Sequence, residues 1–242
     1  MFYYVMAPFL SFNAVLIIAA IVPALFLMLK VYKSDKLEKE SNYLLWNLVK
    51  VGIFSSLLAL VEEKVLFVLL DLTVPQESVL YNIILYFGIV AFAEESSKYI
   101  FMKKETWKNS EFNCQYDGVV YAVFVSLGFA LWENISYVLS YGFATAIVRA
   151  LTAVPGHACF GVFMGIFYGI AKRAAYRNKP AASKFCRIMA VVVPAIIHGA
   201  YDYIASMNEE ELGWYFVVFV VIMFLVSYLL VGRNSKNDKP IN

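Results

Sequence analysis

The sequence predicts an all-α, polytopic bundle of about seven transmembrane helices, and three observations lead there. Its 242 residues are 62% hydrophobic and only 16% charged, whereas a soluble domain is about half apolar and about a quarter charged. The apolar residues gather into runs near 8–30, 43–70, 79–102, 117–140, 147–171, 188–206 and 212–232, each near or above the ~20 residues that a helix needs to cross a bilayer. The charges fall mainly between these runs, and the gaps leave no room for a soluble domain, so residues 1–242 read as a single membrane-embedded domain.

The first run has no basic residue before it and is followed by Lys30, Lys33, Lys36 and Lys39. That is the reverse of a cleavable signal, so it reads as a retained outside-in helix. The second is apolar except for Lys50, which is close enough to an end to snorkel, and Glu62, Glu63 and Lys64, which have no assigned role. The third ends at Lys103, Lys104 and Lys108. The fourth opens on Asp117-Gly118, where Asp117 is expected to cap the helix. Residues 141–154 read as a short extra element before Pro155-Gly156, not as another crossing. The fifth run is followed by Lys172, Arg173, Arg177, Lys179, Lys184 and Arg187; the sixth contains Pro194; the seventh leads to Arg233, Lys236 and Lys239. The alternate gaps, 71–77, 140–146 and 207–211, contain no Lys or Arg. Basic loops stay cytoplasmic, which places the N-terminus outside and the C-terminus inside.

A net charge of +2, divided this way, is explained by topology, and no nucleic-acid partner is expected. Cys114, Cys159 and Cys186 give no disulfide framework and should be free thiols. What remains is a set of ionisable residues inside apolar runs: Glu62, Glu63, Lys64, Glu94, Glu95, Lys98, Glu133, Arg149, His157, His198 and Asp202. Each charge at mid-bilayer costs at least about 2.5–3.5 kcal/mol, and such groups mark functional sites by default.

Three placements stand out. Glu94 and Lys98 are four apart with Glu N-terminal, the favourable order for a helical pair. Glu95 points about 100° away from Glu94, so one carboxylate can activate water while the other pairs with Lys98 or orients its neighbour. A buried salt bridge that only fixes packing is the bland alternative. His157 heads a ridge formed with Gly161, Gly165 and Gly169, a face another helix can approach closely. His198 and Asp202 share a face, and both histidines of the chain lie in apolar runs. Glu133-Asn134 needs buried partners, and Arg149 is a counter-charge for it.

Glu94-Glu95-x-x-Lys98, Asp117-Gly118-Val-Val-Tyr121, Gly128-Phe129-Ala130-x-x-Glu133-Asn134, Arg149 with Pro155-Gly156-His157, and His198-Gly-x-x-Asp202 together resemble the PrsW family of bacterial membrane proteases, over about residues 88–203. The wider clan includes the CAAX prenyl endopeptidases. The resemblance implies a multi-pass enzyme of the bacterial cell membrane. It implies a site-1 cut in a membrane-anchored anti-sigma factor, a single-span substrate, within an envelope-stress response. It also implies catalytic roles for Glu94 as the water-activating base, Glu95 beside it, His157 in holding the water, and His198 as donor to the oxyanion. Lys98, Glu133, Asn134, Arg149 and Asp202 are the supporting residues. The prenyl endopeptidases usually have Asn where this chain has Asp202, so Asp202 is expected either to orient His198 or to join a metal site. No cofactor is favoured. Zinc, with His157, His198, Asp202 and Glu95 as ligands, is the alternative. The competing function is an ion- or proton-coupled transporter using the same buried groups.

Overall fold

The computed structural model describes residues 2–207 and 209–241, with side chains for 14–207 and 213–241. Among the described residues nine α-helices follow one another: α1 (Phe2–Ser34), α2 (Asn42–Thr73), α3 (Val79–Ile83), α4 (Ala91–Thr106), α5 (Asp117–Tyr141), α6 (Phe143–Leu151), α7 (Ala153–Tyr176), α8 (Pro180–Ala205) and α9 (Glu209–Lys236). A π-helical stretch, Ile84–Val90, joins α3 to α4 in one rod. There is no β-strand among the described residues; the one bridge pairs Cys114 with Pro240. Six rods, Ala14–Ser34, Val79–Thr106, Asp117–Tyr141, Phe143–Tyr176, Pro180–Ala205 and Gly213–Lys236, are long and apolar enough to cross a membrane. The 32-residue α2, which carries Glu62, Glu63 and Lys64, is the remaining long helix.

Helix starts follow local chemistry. The Ser41 hydroxyl accepts from Leu44 N and the Ser78 hydroxyl from Tyr81 N, capping α2 and α3. Pro180 stands at the first position of α8, where a missing N–H costs nothing. Gly142, at φ 85°, makes the turn from α5 into α6. The short element expected before Pro155 is a nine-residue helix that leads into α7 within the apolar rod Phe143–Tyr176.

One correction concerns Asp117. It does not cap α5. Tyr116 holds the cap position without a side-chain bond, and Asp117 Oδ2 accepts instead from Asn113 N and Cys114 N of the preceding loop. A helical side chain leans toward the N-terminus of its helix, which carries the Asp117 carboxylate back over that loop.

The centre of the bundle is α5, buried almost without interruption from Asp117 to Leu131, as a helix apolar on all sides must be. It packs on α7 through the predicted glycine ridge. A Cβ on Gly165 would stand 2.4 Å from Gly118 O, and one on Gly161 would stand 2.9 Å from Val123 Cα, so neither position admits a side chain. At α2, Gly52 and Gly128 permit the same closeness. The outer helices α1 and α9 turn Ile18, Phe26, Val217 and Leu225 outward, toward lipid. Cys114, Cys159 and Cys186 are free, as expected.

Candidate active site

Four rods bring the sequence-predicted residues together. Glu94, Glu95 and Lys98 lie on α4; Glu133 and Asn134 on α5; His157 on α7; His198 and Asp202 on α8; the short α6 supplies Arg149. The helices are staggered so that these positions meet, although His157 is ~22 Å along its helix from the basic residue Lys172 and Glu94 only ~13 Å from Lys103.

Lys98 is the hub. Its ammonium is fully buried, 2.7 Å from Glu95 Oε1, 3.1 Å from Glu94 Oε2 and 3.1 Å from His157 Nδ1, and it sits 4.0 Å over the Phe129 ring. An ammonium can only donate, so His157 accepts at Nδ1 and carries its proton on Nε2. That proton points at Glu133 Oε2, 2.8 Å away. Glu133 is also paired with Arg149 at 2.9 Å, and Arg149 Nε donates to Asn134 Oδ1 at 3.0 Å. Asn134 in turn donates to Ala20 O of α1. Arg149 is thus the counter-charge of Glu133, as expected.

His198 is held by carboxylates on both sides. Its Nδ1 lies 3.0 Å from Glu95 Oε1 and 3.9 Å from Glu94 Oε2, and its Nε2 lies 3.3 Å from Asp202. Nδ1 donates to Glu95, and Nε2 stands within ion-pair distance of Asp202 without a hydrogen bond to it. Phe160 stacks on the ring, centroids 4.4 Å apart. Pro194, one turn before His198, removes a backbone donor from α8 at that level.

The two adjacent glutamates occupy different environments. Glu95 is wholly buried, tied to Lys98 and His198. Glu94 lines a cleft of about 960 Å³, and its Oε1 takes no hydrogen bond from the described residues. His157, His198, Glu133, Arg149 and Asp202 line the same cleft, with Trp132 and Tyr137. Its lining reaches Ser206, Met207 and Gly213 at the bundle end whose loops carry no Lys or Arg, whereas Leu48, Met102, Tyr121 and Met164 are fully buried.

Of the unassigned carboxylate pair, Glu63 lines the cleft, while Glu62 accepts from Ser97 Oγ at 3.3 Å. Sequence reasoning saw the pair but had no partner for it. Phe160 was missed, because nothing distinguishes one apolar residue in an apolar helix.

The description "PrsW family intramembrane metalloprotease" matches residues 40–228, most of the chain. The chain belongs to the PrsW family. It is a multi-pass bacterial membrane protein. It is 36% identical to "Protease PrsW" of Bacillus subtilis over 151 residues, 62% of this chain and 65% of that one. That alignment, like the one to the Geobacillus kaustophilus relative at 64%, spans just under two thirds of the relative's length. The match to "Protease PrsW" of Oceanobacillus iheyensis is 29% identical over 221 residues, 90% of this chain and 95% of that one. No solved structure matches.

The family's description implies a metal, and the donors of this PrsW chain test that directly. Ligand atoms of Glu94, Glu95 and His157 lie within 4.8 Å of one another. The Lys98 ammonium stands among them and already takes the His157 Nδ1 lone pair and one oxygen of each glutamate. A cation there would meet a fixed positive charge and donors already in use. The four residues expected as zinc ligands also do not form one set: Asp202 stands at His198 Nε2, and neither joins the His157 group. As folded, this centre does not fit a metal ion.

Proposed function

We propose that the chain is an intramembrane endopeptidase that makes a site-1 cut in a membrane-anchored anti-sigma factor, with Glu94 activating the attacking water. The observation that carries this reading is the division of labour between neighbours: Glu94 faces the cleft with one free oxygen, while Glu95 is buried in ion pairs.

Water in the cleft donates to Glu94 Oε1 and attacks the scissile carbonyl as the carboxylate takes its proton. General-base catalysis of this kind contributes roughly 10²–10⁴-fold. His198 Nε2–H is the donor to the developing oxyanion, since Nδ1 is taken by Glu95 while Nε2 makes no hydrogen bond to Asp202, 3.3 Å away, and both residues border the cleft. One such donor contributes about 10²–10³-fold. Glu94 then passes the proton to the leaving amine. Glu95 orients His198 through its bond to Nδ1. Lys98 balances the two glutamates, and Glu133 with Arg149 holds His157 at the water side of the cleft. The cleft's reach to the end with non-basic loops suits a substrate cut near the outer face.

The test is reconstitution of the purified chain in liposomes with a single-span anti-sigma factor. The wild type should cut it at one position and Glu94→Gln should not. Cleavage by Glu94→Gln at the wild-type rate, or no cleavage of any such substrate by the wild type, would overturn the reading.

A further inference from the structure

A second buried acidic group lies far from the active site, at the bundle end that carries the basic loops. Asp35 and Glu40 come from the α1–α2 loop and Asp117 from the start of α5. Their side chains point at one another: one oxygen from each lies within 4.8 Å of the other two. Asp35 and Glu40 are 3% exposed and Asp117 is 0% exposed. Both oxygens of Asp35, both of Glu40 and Oδ1 of Asp117 have no hydrogen-bond partner. None of the three forms an ion pair with a Lys, Arg or His among the described residues. The nearest cation, Lys39, is spent on the backbone carbonyls of Tyr32 and Asp35. The remaining acids nearby are Asp238, engaged through Oδ1 with Tyr116 N, Glu111 with Ser41, and Glu38 with Asn113.

We propose that Asp35, Glu40 and Asp117 bind a hard divalent cation, Mg²⁺ or Ca²⁺, that ties the α1–α2 loop to the start of α5. Three carboxylates buried side by side without counter-charge are strongly unfavourable unless protons or a cation compensate them. Three converging carboxylates from two segments, with five oxygens free of hydrogen bonds, are the kind of ligand set that hard cations take. The Tyr121 hydroxyl, one turn along α5 and beside Glu40, adds a neutral oxygen. Soft metals are disfavoured. The three donors are all carboxylate oxygens, which suit hard cations, and Cys114 is not one of them. The site is structural: bound cation stabilises the folded chain by mass action. Asp117 and Glu133 lie on the same helix, ~24 Å apart, so the ion would anchor the end of the helix that carries an active-site residue.

The experiment uses the full chain in detergent, stripped with EDTA and desalted, then dialysed against MgCl₂ or CaCl₂ at neutral pH. The wild type should retain about one ion per chain and melt several degrees higher than the stripped form. Glu40→Gln and Asp35→Asn should each lose the bound ion and the upward shift. Glu94→Gln should keep both, which separates this site from the catalytic one. Failure of the wild type to retain either ion at millimolar concentration overturns the proposal without reference to any variant. So does an ion that is lost in Glu94→Gln and kept in Glu40→Gln.

Discussion

His157 Nδ1 lies 3.1 Å from Lys98 Nζ across two helices and 59 positions of sequence. Through that bond the carboxylate pair of α4 and the imidazole of α7 form one unit, and their substitutions should differ in kind. Glu94→Gln should lower cleavage by about 10²–10⁴-fold and leave thermal stability close to wild type, because Lys98 keeps Glu95 as its nearer partner. His157→Ala should also abolish cleavage, but it empties a buried place between Phe129 and Phe160 and should lower Tm by several degrees. Wild-type cleavage by either variant would remove that residue from the mechanism.

Lys98→Met tests the ammonium itself. Breaking a buried pair by removing one partner costs about 3–5 kcal/mol, so this variant should be clearly less stable and inactive. It should also open the triangle of Glu94, Glu95 and His157, so zinc uptake is expected in the variant and not in the wild type. Elemental analysis and phenanthroline treatment check this. About one zinc per wild-type chain, lost together with activity, would replace Glu94 as sole water activator with a metal-bound water.

Glu62 and Glu63 are adjacent in sequence, yet only Glu63 reaches the cleft. Glu63→Gln should therefore reduce kcat/KM for the liposome substrate, while Glu62→Gln should stay within about twofold of wild type, as surface or peripheral changes do. Equal losses in both would mean that the lining of the cleft is assigned wrongly.

Stability should depend on pH through the acidic group at the basic end. Burial, reinforced by the neighbouring Asp117 carboxylate, pushes Glu40 from 4.5 up to about 9, and burial pushes Asp35 from 3.8 up to about 6. Acids with raised folded-state values stabilise the fold when protonated, so this contribution is full below about 4 and is lost as pH rises through 6 and then 9. In EDTA, the Tm of the detergent-solubilised chain should fall over that window. Glu40→Gln should flatten the fall, and so should saturating Mg²⁺ or Ca²⁺. A Tm in EDTA that is level from pH 5 to 9 would contradict the linkage.

Reporter fusions test the orientation that the basic loops imply. Fusions after Lys39, Lys108, Lys184 and the C-terminus should report cytoplasm, and those after Gln76, Gly142 and Glu210 the outside. A cytoplasmic signal at Gly142 would remove a crossing.

The sequence by itself determined the helical rods, because a bilayer leaves the backbone no other way to satisfy its hydrogen bonds and the apolar runs are bounded by charge. It also determined which groups matter, since Glu94, Lys98, Glu133, His157 and His198 are too costly in apolar helices to be incidental. The Glu94–Lys98 and His198–Asp202 pairs, four residues apart, were legible from helical periodicity alone. Only the tertiary structure decided what spacing cannot carry: that Glu94 rather than Glu95 faces the cleft, that Glu63 joins it, and that Lys98 fills the space between the donors. Those outcomes depend on the stagger and rotation of one helix against another. The close contacts at Gly161, Gly165 and Gly118 set that rotation between α5 and α7. The acidic group of Asp35, Glu40 and Asp117 was likewise invisible, because nothing in the spacing of two loop residues and an expected helix cap brings them together; they are buried side by side only where the α1–α2 loop folds over the start of α5.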